Sequence, residues 1–99
     1  MGVKEEDFIK GNWGKMPLND IANSLSLELL EILEIAHELN LQSIKTPEIR
    51  RGWTISEDEF LTKYADYLTI PEACNLLYRS RYATYQRVKF LNLQQMIGK

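Results

Sequence analysis

The run Arg79-Ser80-Arg81-Tyr82-Ala83-Thr84-Tyr85-Gln86-Arg87-Val88-Lys89 holds four cations and no acid, with two phenols and an amide set between them. These side chains can do a specific kind of chemistry. Arginine pairs with guanine and glutamine with adenine, while tyrosine and lysine reach phosphates or thymine methyls. On a helix whose inner stripe is Thr84, Val88 and Leu91, residues 81, 82, 85 and 89 point outward. The candidate contacts to double-stranded DNA are therefore Arg79, Arg81, Tyr82, Tyr85, Gln86, Arg87 and Lys89. The competing reading is an ordinary solvated basic face. Arg50 and Arg51 stand before this region as a minor-groove arm could, or simply as a soluble linker.

Catalysis finds little to work with. His37 is the only histidine, and it lies among glutamates with no serine or cysteine elbow beside it. Cys74 is the only cysteine, so neither an internal disulfide nor a cysteine-cluster zinc site can form, and it reads as a small buried thiol. Carboxylates sit in first helical turns, where they serve caps and the helix dipole. Glycine-rich phosphate loops and metal-ligand spacings are missing, so no enzyme activity, cofactor or metal is expected. The acidic N-terminus lacks an apolar signal core and no stretch approaches membrane-spanning length, which favours a soluble protein of the reducing cytoplasm with no membrane partner.

The elements that must position this chemistry come twice. Sliding the chain by 52 residues lays Glu5–Gln42 over Glu57–Gln94 without a gap. Phe8 meets Phe60, Asn23 meets Asn75, and Leu39-Asn40-Leu41-Gln42 meets an identical Leu91-Asn92-Leu93-Gln94. The halves differ in charge. Residues 1–49 hold four lysines against nine acids, net −5, and residues 50–99 hold eight cations against five acids, net +3, giving the overall −2.

Each copy reads as three helices. In the second, Ser56 with Glu59 forms a capping box, with Ile55 and Phe60 as its hydrophobic staple, and opens the first helix. Thr69 with Glu72 opens a short second one containing Pro71, and Ser80 caps a third running to about Leu91. In the first copy a helix from about Glu5 to Trp13 stops at Gly14, Pro17 opens a short one, and Ser26 caps a third to Leu39 with the stripe Ile32, Ala36 and Leu39. No useful period-2 alternation occurs, so strands are not expected.

A tight turn before a third helix is the outline of a helix-turn-helix unit. Gly52-Trp53-Thr54 followed by Ser56-Glu57-Asp58-Glu59-Phe60-Leu61 resembles the opening W-T-x-x-E-D-x-x-L of Myb/SANT-like, homeodomain-like domains. Leu77-Tyr78-Arg79-Ser80, Ala83-Thr84, Arg87 and Leu91-Asn92-Leu93 resemble the L-G-R-S…A-T…R…L-G-L ending found in bacterial and phage relatives of that fold. The resemblance covers residues 52–94, and 5–42 only through the internal repeat. It implies DNA binding with the third helix in the major groove. Where the family tends to carry glycine, Tyr78 and Ser26 stand instead. A tyrosine at positive φ is strained, so that turn is expected to differ in detail. The family's later tryptophans are missing from the second copy, and Trp13 of the first reads as a core residue.

The first copy cannot read DNA in this way, because Glu28, Glu31, Glu34 and Glu38 on its third helix repel phosphates. Leu29, Leu30, Leu33 and Ile35 widen its apolar surface beyond the core stripe, which marks an interaction surface. That surface packs on the second copy, on the same patch of a second subunit as a homodimer, or on another protein. The expectation is an all-α chain of two tandem trihelical helix-turn-helix repeats, at 1–43 and 54–99 with a linker at 44–53. It would act as a transcription regulator whose second repeat reads DNA and whose first mediates dimerisation or partner binding. The alternative is a protein-interaction module on the same scaffold, an adaptor or an inhibitor of a host regulator, that binds no DNA.

Overall fold

The computed structural model describes residues 3–49 and 52–97. Six α-helices run through them: α1 (Val3–Asn12), α2 (Leu18–Leu25), α3 (Leu29–Glu38), α4 (Ile55–Tyr64), α5 (Ile70–Leu77) and α6 (Arg81–Phe90). Two 3-10 turns, Leu41–Ser43 and Gln94–Met96, follow α3 and α6, and no strand occurs among the described residues. The helix bounds of the two halves keep the offset of the sequence repeat: 3–12 matches 55–64, 18–25 matches 70–77, and 29–38 matches 81–90. No helix is long and apolar enough to cross a membrane.

Local chemistry sets most of these boundaries. The Thr69 side chain accepts from the Glu72 N–H at 3.3 Å. Glu72 returns the bond by accepting from the Thr69 N–H at 2.9 Å. Two of the orphan donors at the start of α5 are thereby satisfied. Ser80 caps α6 by accepting from the Ala83 N–H at 3.0 Å. Gly14, at φ +80, follows α1, and Pro17 stands at the N-cap of α2. Two sequence expectations need correction. The cap of α4 is Thr54, boxed with Glu57, rather than Ser56 with Glu59, and Ile55 is 77% exposed, so no staple forms with Phe60. Ser26 does not cap α3. It ends α2 in the left-handed conformation, and α3 begins after Glu28.

The two halves share one hydrophobic core. Ile9, Ile21, Ile32 and Leu33 join Phe60, Leu61, Leu76, Leu77 and Val88 in a single buried cluster. One main seam runs between α3 and α4. There the His37 ring meets Tyr64 edge-on at 5.0 Å, and Glu34 accepts from the Tyr64 hydroxyl at 2.7 Å and from the Lys63 ammonium. Leu33 is fully buried and Ile35 is 6% exposed, while Leu29 and Leu30 are half-buried. Of the apolar surface read from the sequence, Leu33 and Ile35 are thus buried within the chain.

The connection between the halves is pinned along α5. The Asn75 side-chain amide donates to the Gln42 carbonyl at 2.8 Å, and the Thr46 hydroxyl donates to the Asn75 carbonyl at 2.9 Å. The Ile49 N–H donates to the Tyr78 carbonyl at 2.8 Å. Tyr78 does take the left-handed conformation, at φ 55 and ψ 45, so the turn before α6 keeps the form that a glycine would give it. Its surroundings over-determine that conformation. The phenol is buried, accepts from the Gly14 N–H at 2.5 Å, donates to the Met16 carbonyl at 2.9 Å and meets Trp13 edge-on at 5.5 Å. Burial pushes its pKa up. One residue therefore ends α5 and fastens the second half to the α1–α2 connection.

Candidate nucleic-acid interface

α6 is held against α4 by two ion pairs that start in adjacent residues. The Arg79 guanidinium donates to Glu57 through Nε at 3.1 Å and through Nη2 at 3.0 Å, and again to the Gly52 carbonyl at 3.0 Å. Both partners are buried, at 4% and 0% exposure. The same Glu57 carboxylate accepts from the Thr54 N–H at 3.0 Å, so one side chain caps α4 and anchors the start of α6. Trp53 covers the pair, with the Arg79 guanidinium 4.4 Å from its ring centre. One turn from the end of α6, Arg87 grips Asp58 with two bonds of 2.8 and 2.7 Å. Such a bidentate pair fixes direction as well as distance. It also holds the Arg87 pKa above its usual value.

These pairings divide the basic run into two sets. Arg79 is a buried structural cation and is removed from the candidate DNA contacts. Arg87 is half-buried and already neutralised by Asp58. Arg81, Tyr82, Tyr85, Gln86 and Lys89 remain in solvent on one side of α6, Tyr82 at 74% and Tyr85 at 37% exposure. The Lys89 ammonium lies 5.6 Å from the Tyr85 ring centre. Phe90, which the sequence reading passed over, is 73% exposed, with Arg87 4.6 Å above its ring. Thr84 and Val88 face inward as the stripe required. Arg50 and Arg51 lie outside the described residues.

The stripe that remains can stack, donate bidentate hydrogen bonds and present the charges of Arg81 and Lys89, with no acid on its helix. The other third helix is its opposite in charge. Glu31, Glu34 and Glu38, together with Glu6 of α1, border a shallow cleft floored by Ile35 and Leu39. The bonds from Lys63 and Tyr64 hold the Glu34 carboxyl below its ordinary pKa. A second cleft, beside the N-terminus of α5, is lined by Lys45, Thr46, Cys74, Asn75 and Arg81. Cys74 donates to the Pro71 carbonyl at 3.0 Å, and burial raises its pKa, so the thiol is a poor nucleophile. Among the described residues no cluster of His, Cys, Asp and Glu could hold a metal ion.

Sequence reasoning missed Trp53, Glu57 and Asp58 as parts of this site. The available signal was two acids in a first turn ahead of an arginine-rich helix, which a capping role alone explained too easily. No known protein family, curated protein or solved structure matches this chain.

Proposed function

We propose that this chain is a small DNA-binding regulator built from two tandem trihelical repeats, with α6 of the second, Myb/SANT-like repeat as the helix that enters the major groove. The observation that carries the reading is the one-sided stripe of Arg81, Tyr82, Tyr85, Gln86 and Lys89. It is exposed, free of acids, and held in a fixed direction by the Glu57–Arg79 and Asp58–Arg87 pairs. The left-handed residue at Tyr78 and the Ser80 cap give the tight entry that a recognition helix needs. In this reading Gln86 and Arg81 read base edges, while Lys89 and the two phenols sit against the backbone.

Fluorescence anisotropy on duplex fragments across a salt series tests it. The two exposed helix cations, with or without the two arm arginines, correspond to a log–log salt slope of about −2 to −4 for each bound chain. Arg81→Ala or Lys89→Ala should weaken binding and each flatten the slope by about 1, with helicity unchanged. An absence of binding at low salt would leave the alternative, a protein-interaction module. That alternative is favoured by the exposure of Tyr82, Phe90 and Ile55 and by the internal neutralisation of Arg79 and Arg87.

A further inference from the structure

The two halves of this chain meet head to tail. α3 and the Leu41–Ser43 turn of the first press on α4 and α5 of the second, so each half contributes a different surface. A contact of this kind does not pair a surface with its own copy. It leaves the equivalent faces exposed at the ends: the outer sides of α1 and α2 in the first half, and in the second the outer side of α6 with Gln94 and Gln95, Leu93 and Met96 being buried. We infer that these two free surfaces bind each other between molecules. A second copy of this chain docks its α1/α2 face on α6 and the segment after it, extending between chains the contact that already exists within one.

One hydrogen-bonded pair of the internal contact recurs at the free ends. Internally, Asn75 donates to the Gln42 carbonyl at 2.8 Å. Their counterparts in the repeat are Asn23 and Gln94, the same residue types, and both are exposed. The turn that presents Gln42 begins at Asn40 with φ 59, and the turn that presents Gln94 begins at Asn92 with φ 61. Three flanking positions are more open than their internal equivalents. Phe60 is fully buried beneath His37 and Tyr64, whereas its counterpart Phe8 is only half-buried. On α6, Tyr85 at 37% exposure stands where Leu33 is fully buried, and Tyr82 at 74% stands where Leu30 is half-buried. Gly11 of α1 faces open space.

Charge fits the same register. Inside the chain Leu30 borders a cleft with Asp58, Glu59, Thr62 and Lys63. Moving that contact by one repeat brings Tyr82 and its neighbour Arg81 over Glu6 and Asp7 of the second molecule, with Lys10 one turn further along. A basic helix meets an acidic first turn, a complementarity that steers association. Because the docking partner covers the outer face of α6, assembly and duplex binding compete for one surface.

Sedimentation velocity without DNA tests the inference, which rests on the halves being copies of one unit and not on DNA binding. The wild-type mass should rise with concentration and pass the dimer without a plateau. Asn23→Arg blocks the α2 end and Tyr85→Glu blocks the α6 end. Both positions are exposed, so helicity should hold, and Lys89→Glu replaces Tyr85→Glu if it does not. Each variant alone should remain monomeric. Mixed in equal amounts they should form a dimer and nothing larger, since one chain keeps a free α6 face and the other a free α2 face. A wild type that stays monomeric to millimolar concentration, or that stops at a dimer, overturns the inference. So do single variants that still assemble, or a mixture that stays monomeric. A monomer that binds duplex DNA removes this inference alone, and an assembling chain that ignores DNA removes the DNA reading alone.

Discussion

Glu57→Gln is the substitution most diagnostic of how α6 is held. The native carboxylate is fully buried and accepts two bonds from Arg79, at 3.1 and 3.0 Å, and one from the Thr54 N–H at 3.0 Å. Glutamine is close in shape but neutral. It keeps one acceptor, and in either orientation its amide nitrogen faces Arg79 as a donor against a donor, because each native oxygen accepts from that guanidinium. The Arg79 charge, 4% exposed, then loses the Glu57 counter-charge. Breaking a buried pair from one side costs about 3–5 kcal/mol. At roughly 4–8 °C per kcal/mol for a domain of this size, the melting temperature should fall by about 12–40 °C. Thermal and urea unfolding followed by circular dichroism measure it. Adding Arg79→Met to Glu57→Gln should return part of the loss, because the buried cation is then gone. A single-variant loss below about 1 kcal/mol, the range of an exposed pair, would refute the claim that this ion pair orients α6.

Other perturbations separate the remaining contacts. Tyr78→Phe strands the Gly14 N–H and the Met16 carbonyl while keeping the ring against Trp13. It should cost about 1–3 kcal/mol in urea unfolding. Glu34 pairs with Lys63 in a setting where its side chain is 25% exposed. Glu34→Gln should accordingly cost only about 0.3–1 kcal/mol at neutral pH. The Glu34 pKa is lowered in the folded state, so its contribution is present above the ordinary value of 4.5 and is lost as pH falls through the folded value. Wild type and Glu34→Gln should therefore converge in stability below that range, as acid titration of the melting temperature would register.

What the chain discloses locally and what it hides over distance divide cleanly. The caps at Thr69 and Ser80, the stop at Gly14 and the inward stripe of Thr84 and Val88 each depend on residues within a turn or two, and are legible. The matched positions of the two halves announce the equal helix bounds found in both. Arg79 and Arg87 read as open cations because their partners lie 22 and 29 residues earlier, where the same acids also make sense as helix-end charges. Leu33 and Ile35 suggest an outward patch because nothing near them in sequence identifies the core residues of the other helices that they join. Ser56 loses the cap to Thr54 because Glu57 has to reach both the Thr54 N–H and Arg79, a constraint set by α6 rather than by the first turn. Tyr78 is the instructive case. Its left-handed backbone is costly by itself, and the compensation comes from Gly14 and Met16, 64 and 62 residues away.

During synthesis that last separation becomes a delay. The α1–α2 connection leaves the ribosome 62 residues before the phenol that fastens it. At roughly 5–20 residues per second, the first half waits about 3–12 s for its clasp. Until α4 and α5 follow, Leu33 and Ile35, which end in the shared core, lack the helices of the second half. The first half then shows part of its apolar side to solvent. Its exposure to chaperones or to neighbouring nascent copies is set by translation speed between Ile44 and Tyr78 rather than by the stability of the finished protein.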